Sequence, residues 1–118
     1  MAGLDPAIHA FAAPIASRTV AQLRGGWVYI MTNCPSGTLY TGATADIARR
    51  AYEHREGLSG GFTKRYELTR LVRYEFHDNI TAAIQRESNM KHSPRAWKIR
   101  LILAMNPEWR DLYLDLNN

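Results

Sequence analysis

One carboxylate in this chain stands where the hydrophobic pattern asks for an apolar side chain. After Asp78-Asn79, the residues Ile80, Ala83 and Ile84 mark a helical stripe, and the next stripe position, seven residues after Ile80, is Glu87. Burying a carboxylate is costly unless it is paired or binds a metal, so Glu87 is either half of an ion pair with a nearby arginine or a metal ligand. A second group is Arg50 and His54, which follow the apolar Ile47 and Ala51 by three positions each. Three residues turn a helix by about 300°, so both sit on the flank of that stripe and point at the edge of whatever the helix packs on. The third group is cationic. Gly57-Leu58-Ser59-Gly60-Gly61 is followed by Thr63-Lys64-Arg65, and a glycine-rich loop beside two cations can admit a phosphate backbone closely. From Lys91 to Arg100 there are four cations and no acid, and Arg95 and Lys98 share a helix face. Either set reads equally well as an ordinary solvated surface.

The elements that must position these groups follow from periodicity and punctuation. Residues 27–32 are β-branched and aromatic, Asn33-Cys34-Pro35-Ser36-Gly37 is a cluster of turn formers, and residues 38–41 resume strand chemistry. This predicts a hairpin with a loop of about five residues and a second strand ended by Gly42. A helix capped by Thr44 or Asp46 and stopped by Gly57 comes next. In residues 68–76, Val72, Tyr74 and Phe76 alternate with Leu71, Arg73 and Glu75, a third strand. Asp78 or Asn79 caps a helix over residues 80–91. Ser93-Pro94 starts another, with proline at its first position, a stripe of Trp97, Leu101, Ala104 and Met105, and an end at Asn106-Pro107. Trp109, Leu112 and Tyr113 are expected to cover the core. The fold class is therefore α+β, with a three-stranded antiparallel sheet flanked by three or more helices.

Composition narrows the class further. At 118 residues one domain is expected, over residues 25–118, with residues 1–24 as an N-terminal extension, disordered in part. The 15 Lys and Arg against 11 Asp and Glu, and a pI near 9.5, suit a polyanionic partner. The lone Cys34 excludes an internal disulfide and a cysteine-rich metal site, and its turn position suggests no special role. No apolar run is long enough for a transmembrane helix, and the N-terminal apolar stretch is broken by His9 and Pro14, so a cytoplasmic location and no membrane partner are expected. His77 and His92 read as surface residues.

The order Trp27-Val28-Tyr29, Tyr40-Thr41-Gly42 eleven residues on, and Arg50 eight residues after that glycine resembles the signature of the GIY-YIG nuclease superfamily, most closely its small stand-alone endonuclease branch. The resemblance continues through Gly61-Phe62-Thr63-Lys64, Ala83-Ile84-Gln85-Arg86-Glu87 and Asn106-Pro107-Glu108-Trp109. Trp27 stands where the first motif has glycine, and Thr41 where the second has isoleucine or valine. The resemblance implies a GIY-YIG-like fold and a metal-dependent endonuclease that hydrolyses DNA, in repair or recombination, with Tyr29, Tyr40, Arg50, His54 and Glu87 as catalytic residues. Taken singly, each tyrosine would be core more often than catalyst.

Phosphodiester hydrolysis needs an activated water, a cation for the charge gathering on phosphorus oxygens, and help for the leaving oxygen. Under the resemblance, Glu87 would hold one divalent ion, Mg²⁺ or Mn²⁺, and Arg50 would clamp the phosphate. Tyr40 would be general base, with Tyr29 and His54 positioning or exchanging protons. Arg49, Lys64, Arg65, Lys91, Arg95 and Lys98 are the expected nucleic-acid contacts. Two other readings stand beside this one: a non-catalytic nucleic-acid-binding module, and a catalytic subunit active only within a larger complex. No motif reads bases, so single-stranded, duplex and branched DNA all stand as substrates, and RNA with them.

Overall fold

Alternating large apolar residues make Gly26–Thr32 the central strand, β1, and bury it on both faces: Val28 and Ile30 point one way, Tyr29 and Met31 the other, all at 1% exposure or less. The computed structural model describes residues 25–58 and 61–117, so the expected N-terminal extension lies outside the described residues. Strand β2 (Leu39–Thr44) pairs antiparallel with one edge of β1 and β3 (Arg70–His77) with the other, giving the order β2-β1-β3. This is the expected three-stranded antiparallel sheet in an α+β fold.

Two details of the hairpin differ from expectation. The pair Thr32 and Leu39 closes it, so the loop is residues 33–38, six in all rather than five. Gly42 lies inside β2 rather than at its end, paired with Tyr29. Ladder hydrogen bonds to β1 carry the chain past a residue that propensity alone reads as a breaker.

The alternation expected for the third strand is also interrupted. Tyr29 faces Tyr74 and Ile30 faces Arg73, but Met31 faces Leu71, so Val72 is the extra residue of a β-bulge. Leu71 therefore joins the Tyr29 and Met31 side while Val72 joins Val28 and Ile30, and Tyr74 and Phe76 lie on the face opposite to Val72.

Helices α1 (Ile47–Arg55) and a C-terminal 3₁₀ helix (Leu112–Asn117) cover the Tyr29 face. Helix α1 starts as expected, with the Asp46 carboxylate accepting from the Arg49 amide at 3.1 Å, and Gly57 follows its end at φ +70°. The basic residues after the glycine loop form a single helical turn, α2 (Phe62–Arg65), rather than loop. The Val28 face is covered by α3 (Ile80–Lys91), capped by Asn79, and α4 (Arg95–Met105). Pro94 sits one residue earlier than expected, as the cap of α4. Ile102, not Leu101, Ala104 or Met105, is that helix's fully buried residue; Met105 is 42% exposed. Apolar residues surround α4 on all sides, so spacing alone does not choose its inward face. The sheet chooses it.

The C-terminal segment is tied down by two polar side chains, Asn106 buried and Asp111 half-buried. Asn106 donates to the Val72 and Arg110 carbonyls and accepts from the Arg110 amide. Asp111 accepts from the amides of Leu71 and Tyr113 and pairs with Arg55 at 2.6 Å. Among the described residues no helix is long and apolar enough to cross a membrane.

Candidate active site

Because β1 and β2 are in register with Tyr29 opposite Gly42 and Met31 opposite Tyr40, the two tyrosines lie on the same face of the sheet, two positions apart. Their ring centroids are 6.3 Å apart. The even loop of residues 33–38 produces this register, without a bulge between these strands. A Cβ on Gly42 would stand 2.5 Å from the Tyr29 hydroxyl oxygen and 3.0 Å from Tyr40 Cε2, so the bare glycine makes the room in which the phenol of Tyr29 lies.

Helix α1 brings the next two groups. Ile47 and Ala51 pack on the tyrosine face, and the flank three residues on carries Arg50 and His54 inward, at 7% and 2% exposure. His54 Nε2 lies 3.1 Å from the Tyr29 hydroxyl, and Arg50 Nε donates to the same oxygen at 3.4 Å. The His54 ring is 5.6 Å from that of Tyr29 and 5.7 Å from that of Tyr40. Burial, with the Arg50 charge added to it, pushes the His54 imidazole down from 6.5 to about 3, so it is neutral at pH 7. Nε2 faces the Tyr29 hydroxyl, and the other ring nitrogen is Nδ1. That buried nitrogen has no partner among the described residues.

Arg50 is held from its other end by Glu53, whose Oε1 accepts from Nη1 at 3.0 Å; Arg49 reaches Oε2 of the same carboxylate at 3.3 Å. Glu53 escaped the reading of the sequence, although its place three residues after Arg50 and four after Arg49 is the spacing of a helical ion pair. Glu75 escaped it too. On β3 it accepts from Arg73 and Arg86, with His77 Nε2 at 2.6 Å, and Arg86 in turn lies over the Trp97 ring.

Glu87 is 3% exposed, on the stripe of α3 that also buries Ala83 and Met90. That stripe packs on the Val28 face of the sheet. Lys91 Nζ lies 3.0 Å from Glu87 Oε2 but outside hydrogen-bonding geometry, so Oε2 has a counter-charge and no hydrogen bond. Thr41 Oγ1, on the same face of the sheet, is a second buried oxygen without a partner. Among the described residues there is no group of three or more His, Cys, Asp and Glu suited to a metal.

The expected nucleic-acid contacts fall in three places. Lys91, Arg95 and Lys98 gather where α3 meets α4: Lys98 Nζ donates to the Lys91 carbonyl, and burial first, then the Arg95 and Lys91 charges, lower the Lys98 pKa. Arg95 also donates to the Ser36 and Gly37 carbonyls at 2.7 and 2.6 Å, fastening the hairpin loop to α4. Lys64 and Arg65 are exposed on α2, with Arg65 over the Tyr66 ring, and the Arg49 side chain is 74% exposed on α1. His92 is a surface residue as expected, with Nδ1 against the Ser88 carbonyl.

A UPF0213 protein from Syntrophus aciditrophicus is 40% identical to this chain over 83 residues, covering 70% of this chain and 93% of that one. One from Natronomonas pharaonis is 40% identical over 76 residues, or 64% and 88% of the two chains. The solution NMR structure of a UPF0213 protein from Bacillus halodurans aligns with a TM-score of 0.47 and 29% identity, over 74% of this chain and 92% of that one. The family model described as the GIY-YIG catalytic domain matches residues 25–100, which span β1 to the middle of α4 and hold Tyr29, Tyr40, Gly42, Arg50, His54 and Glu87. By that family-model match and the 40% identity to the Syntrophus aciditrophicus protein, the chain belongs to the GIY-YIG catalytic domain family, in its UPF0213 branch.

Proposed function

We infer that this protein is a metal-dependent endonuclease that hydrolyses phosphodiester bonds in DNA and serves repair or recombination in the cytoplasm. The observation that carries the reading is the convergence of Tyr29, Tyr40, Arg50 and His54 on one sheet face, with a neutral imidazole and a buried guanidinium sharing one phenolic oxygen. A core that needed only packing would not bury an arginine beside a histidine.

In this reading Arg50 binds the nonbridging oxygens of the scissile phosphate, where its planar fork matches the charge that builds as the new P–O bond forms. Tyr40 takes the proton of the attacking water; an unperturbed tyrosine, with a pKa of about 10, needs neighbouring positive charge for that role, and Arg50 supplies charge to this face. Tyr29 and His54 position that base and exchange protons with it. Glu87 would hold Mg²⁺ or Mn²⁺, the ion taking the place beside its hydrogen-bond-free Oε2 that the Lys91 ammonium now occupies at 3.0 Å. When bound, the ion supplies compensation for phosphate charge and a more acidic water. Lys91, Arg95, Lys98, Lys64, Arg65 and Arg49 anchor the backbone on either side.

The test is cleavage of labelled single-stranded, duplex and branched DNA, and of RNA, with Mg²⁺, Mn²⁺ or EDTA. Product is expected only with metal. Glu87→Gln should abolish it while changing unfolding free energy by no more than about 1 kcal/mol, because Lys91 is partly exposed and tolerates the loss of its partner. Cutting in EDTA, or by Glu87→Gln, would overturn the metal assignment; binding without product under any condition would make the protein a binding module.

A further inference from the structure

We propose that Trp27, Tyr74 and Phe76 form a stacking platform for one unpaired base of the nucleic-acid substrate, next to the phosphate held by Arg50. The proposal rests on the nuclease reading and deepens it, by choosing a substrate with single-stranded character at the cut.

The three rings share the sheet face of Tyr29. In the β1–β3 register Tyr74 is directly opposite Tyr29, and Phe76 directly opposite Trp27. Trp27 lies two residues from Tyr29 along β1, about 7 Å, so the strip begins where the candidate catalytic cluster ends. Trp27 meets Tyr74 edge-on at 5.7 Å and Phe76 at 5.0 Å, and the Phe76 ring is laid across Gly25, where a Cβ would come within 2.7 Å of it. The strip is thus continuous with buried core at the Tyr74 end and emerges at Phe76, which is 52% exposed. A large aromatic ring fixed by neighbours and open on one side offers a π-face at little entropic cost.

Charge completes the case for a nucleotide as occupant. Thr44, the β2 partner of Trp27, is followed three residues later by the start of α1, whose first turn carries Arg49 and Arg50. Two guanidiniums and a ring platform at one end of the sheet suit a base flanked by phosphates. A base inside a duplex is already covered on both faces by its neighbours, so only an unpaired one can use the platform.

The experiment is equilibrium binding, in EDTA and at fixed salt, of a labelled single strand of about twelve nucleotides and of its duplex, alongside cleavage with metal. Phe76→Leu should weaken single-strand binding roughly 10-fold and leave duplex binding unchanged, whereas Phe76→Tyr should stay within about twofold of wild type. An abasic position beside the cleaved bond should weaken wild type by a similar factor and Phe76→Leu no further. Both variants are first checked for a wild-type melting temperature. Single-strand affinity unchanged in Phe76→Leu, or single-strand and duplex affinity lost equally, would overturn the platform while leaving the nuclease reading intact. Wild type that neither binds nor cuts any nucleic acid would overturn both.

Discussion

At 7% exposure Arg50 would be a costly residue to bury if its charge were not answered, and the structure answers it with Glu53 on one side and the Tyr29 hydroxyl on the other. The guanidinium is therefore held in place by the protein's own groups. A preorganised cation acts most strongly where charge is greatest, in the transition state, while ground-state affinity is shared with the other cations. Arg50→Ala is accordingly expected to lower single-turnover cleavage by about 10²–10³ and substrate affinity by much less. Parallel measurement of cutting rate and binding at one salt concentration checks this; equal losses would reduce Arg50 to one more phosphate anchor. Truncation leaves Glu53 paired with Arg49, so the variant should still fold.

At the scale of elements, the site depends on a helix lying across a hairpin whose register is set by its loop. Arg95 pins that loop from α4, and Gly42 keeps β2 bare beneath the ring of Tyr29. Gly42→Ala adds one methyl group where no space exists, against a phenol 1% exposed and bonded to both His54 and Arg50. The ring must shift or the strands must part. We expect a loss of roughly 1–3 kcal/mol in stability, with cleavage falling as Tyr29 leaves His54. Thermal unfolding and the rate together test this, and a variant as stable and active as wild type would show that Tyr29 needs no such room.

Across the whole molecule, two groups among the described residues make folding sensitive to acid, one in each layer. His54 titrates near 6.5 when unfolded and near 3 when folded, so its contribution is complete above 6.5 and is lost as pH falls toward 3, at about 1.4 kcal/mol per pH unit. Glu75 acts lower. Burial raises its pKa, but hydrogen bonds from Arg86, Arg73 and His77 outweigh burial and hold it at about 2, against an ordinary 4.5. Its contribution, which joins β3 to α3 and through the Arg86–Trp97 contact to α4, is present above 4.5 and lost toward 2. Denaturant unfolding as a function of pH should therefore show stability declining from 6.5 downward. His54→Asn should remove most of the slope between 6.5 and 4.5, and Glu75→Gln should alter only the decline below 4.5. A flat profile in wild type would contradict the buried, neutral state of His54.

Residue order alone determined the three strands, the three longer helices, their sequence along the chain and the inward flank of α1, because hairpin chemistry, helix caps and the spacing of Ile47, Arg50, Ala51 and His54 are local properties. It also marked Glu87 as a carboxylate at a core position, and the structure buries it there. What it left to tertiary structure was decided by pairing and packing between distant residues. The β1–β2 register puts Tyr29 and Tyr40 on one face, a bulge at Val72 divides Leu71 from its neighbour, and contact with the sheet selects Ile102 from a helix that is apolar all round. The partners of Glu75 and Asp111 come from other elements, and one-residue shifts in strand register would reverse every side chain involved. Such choices are energies of contact between segments, and no local pattern in the sequence contains them.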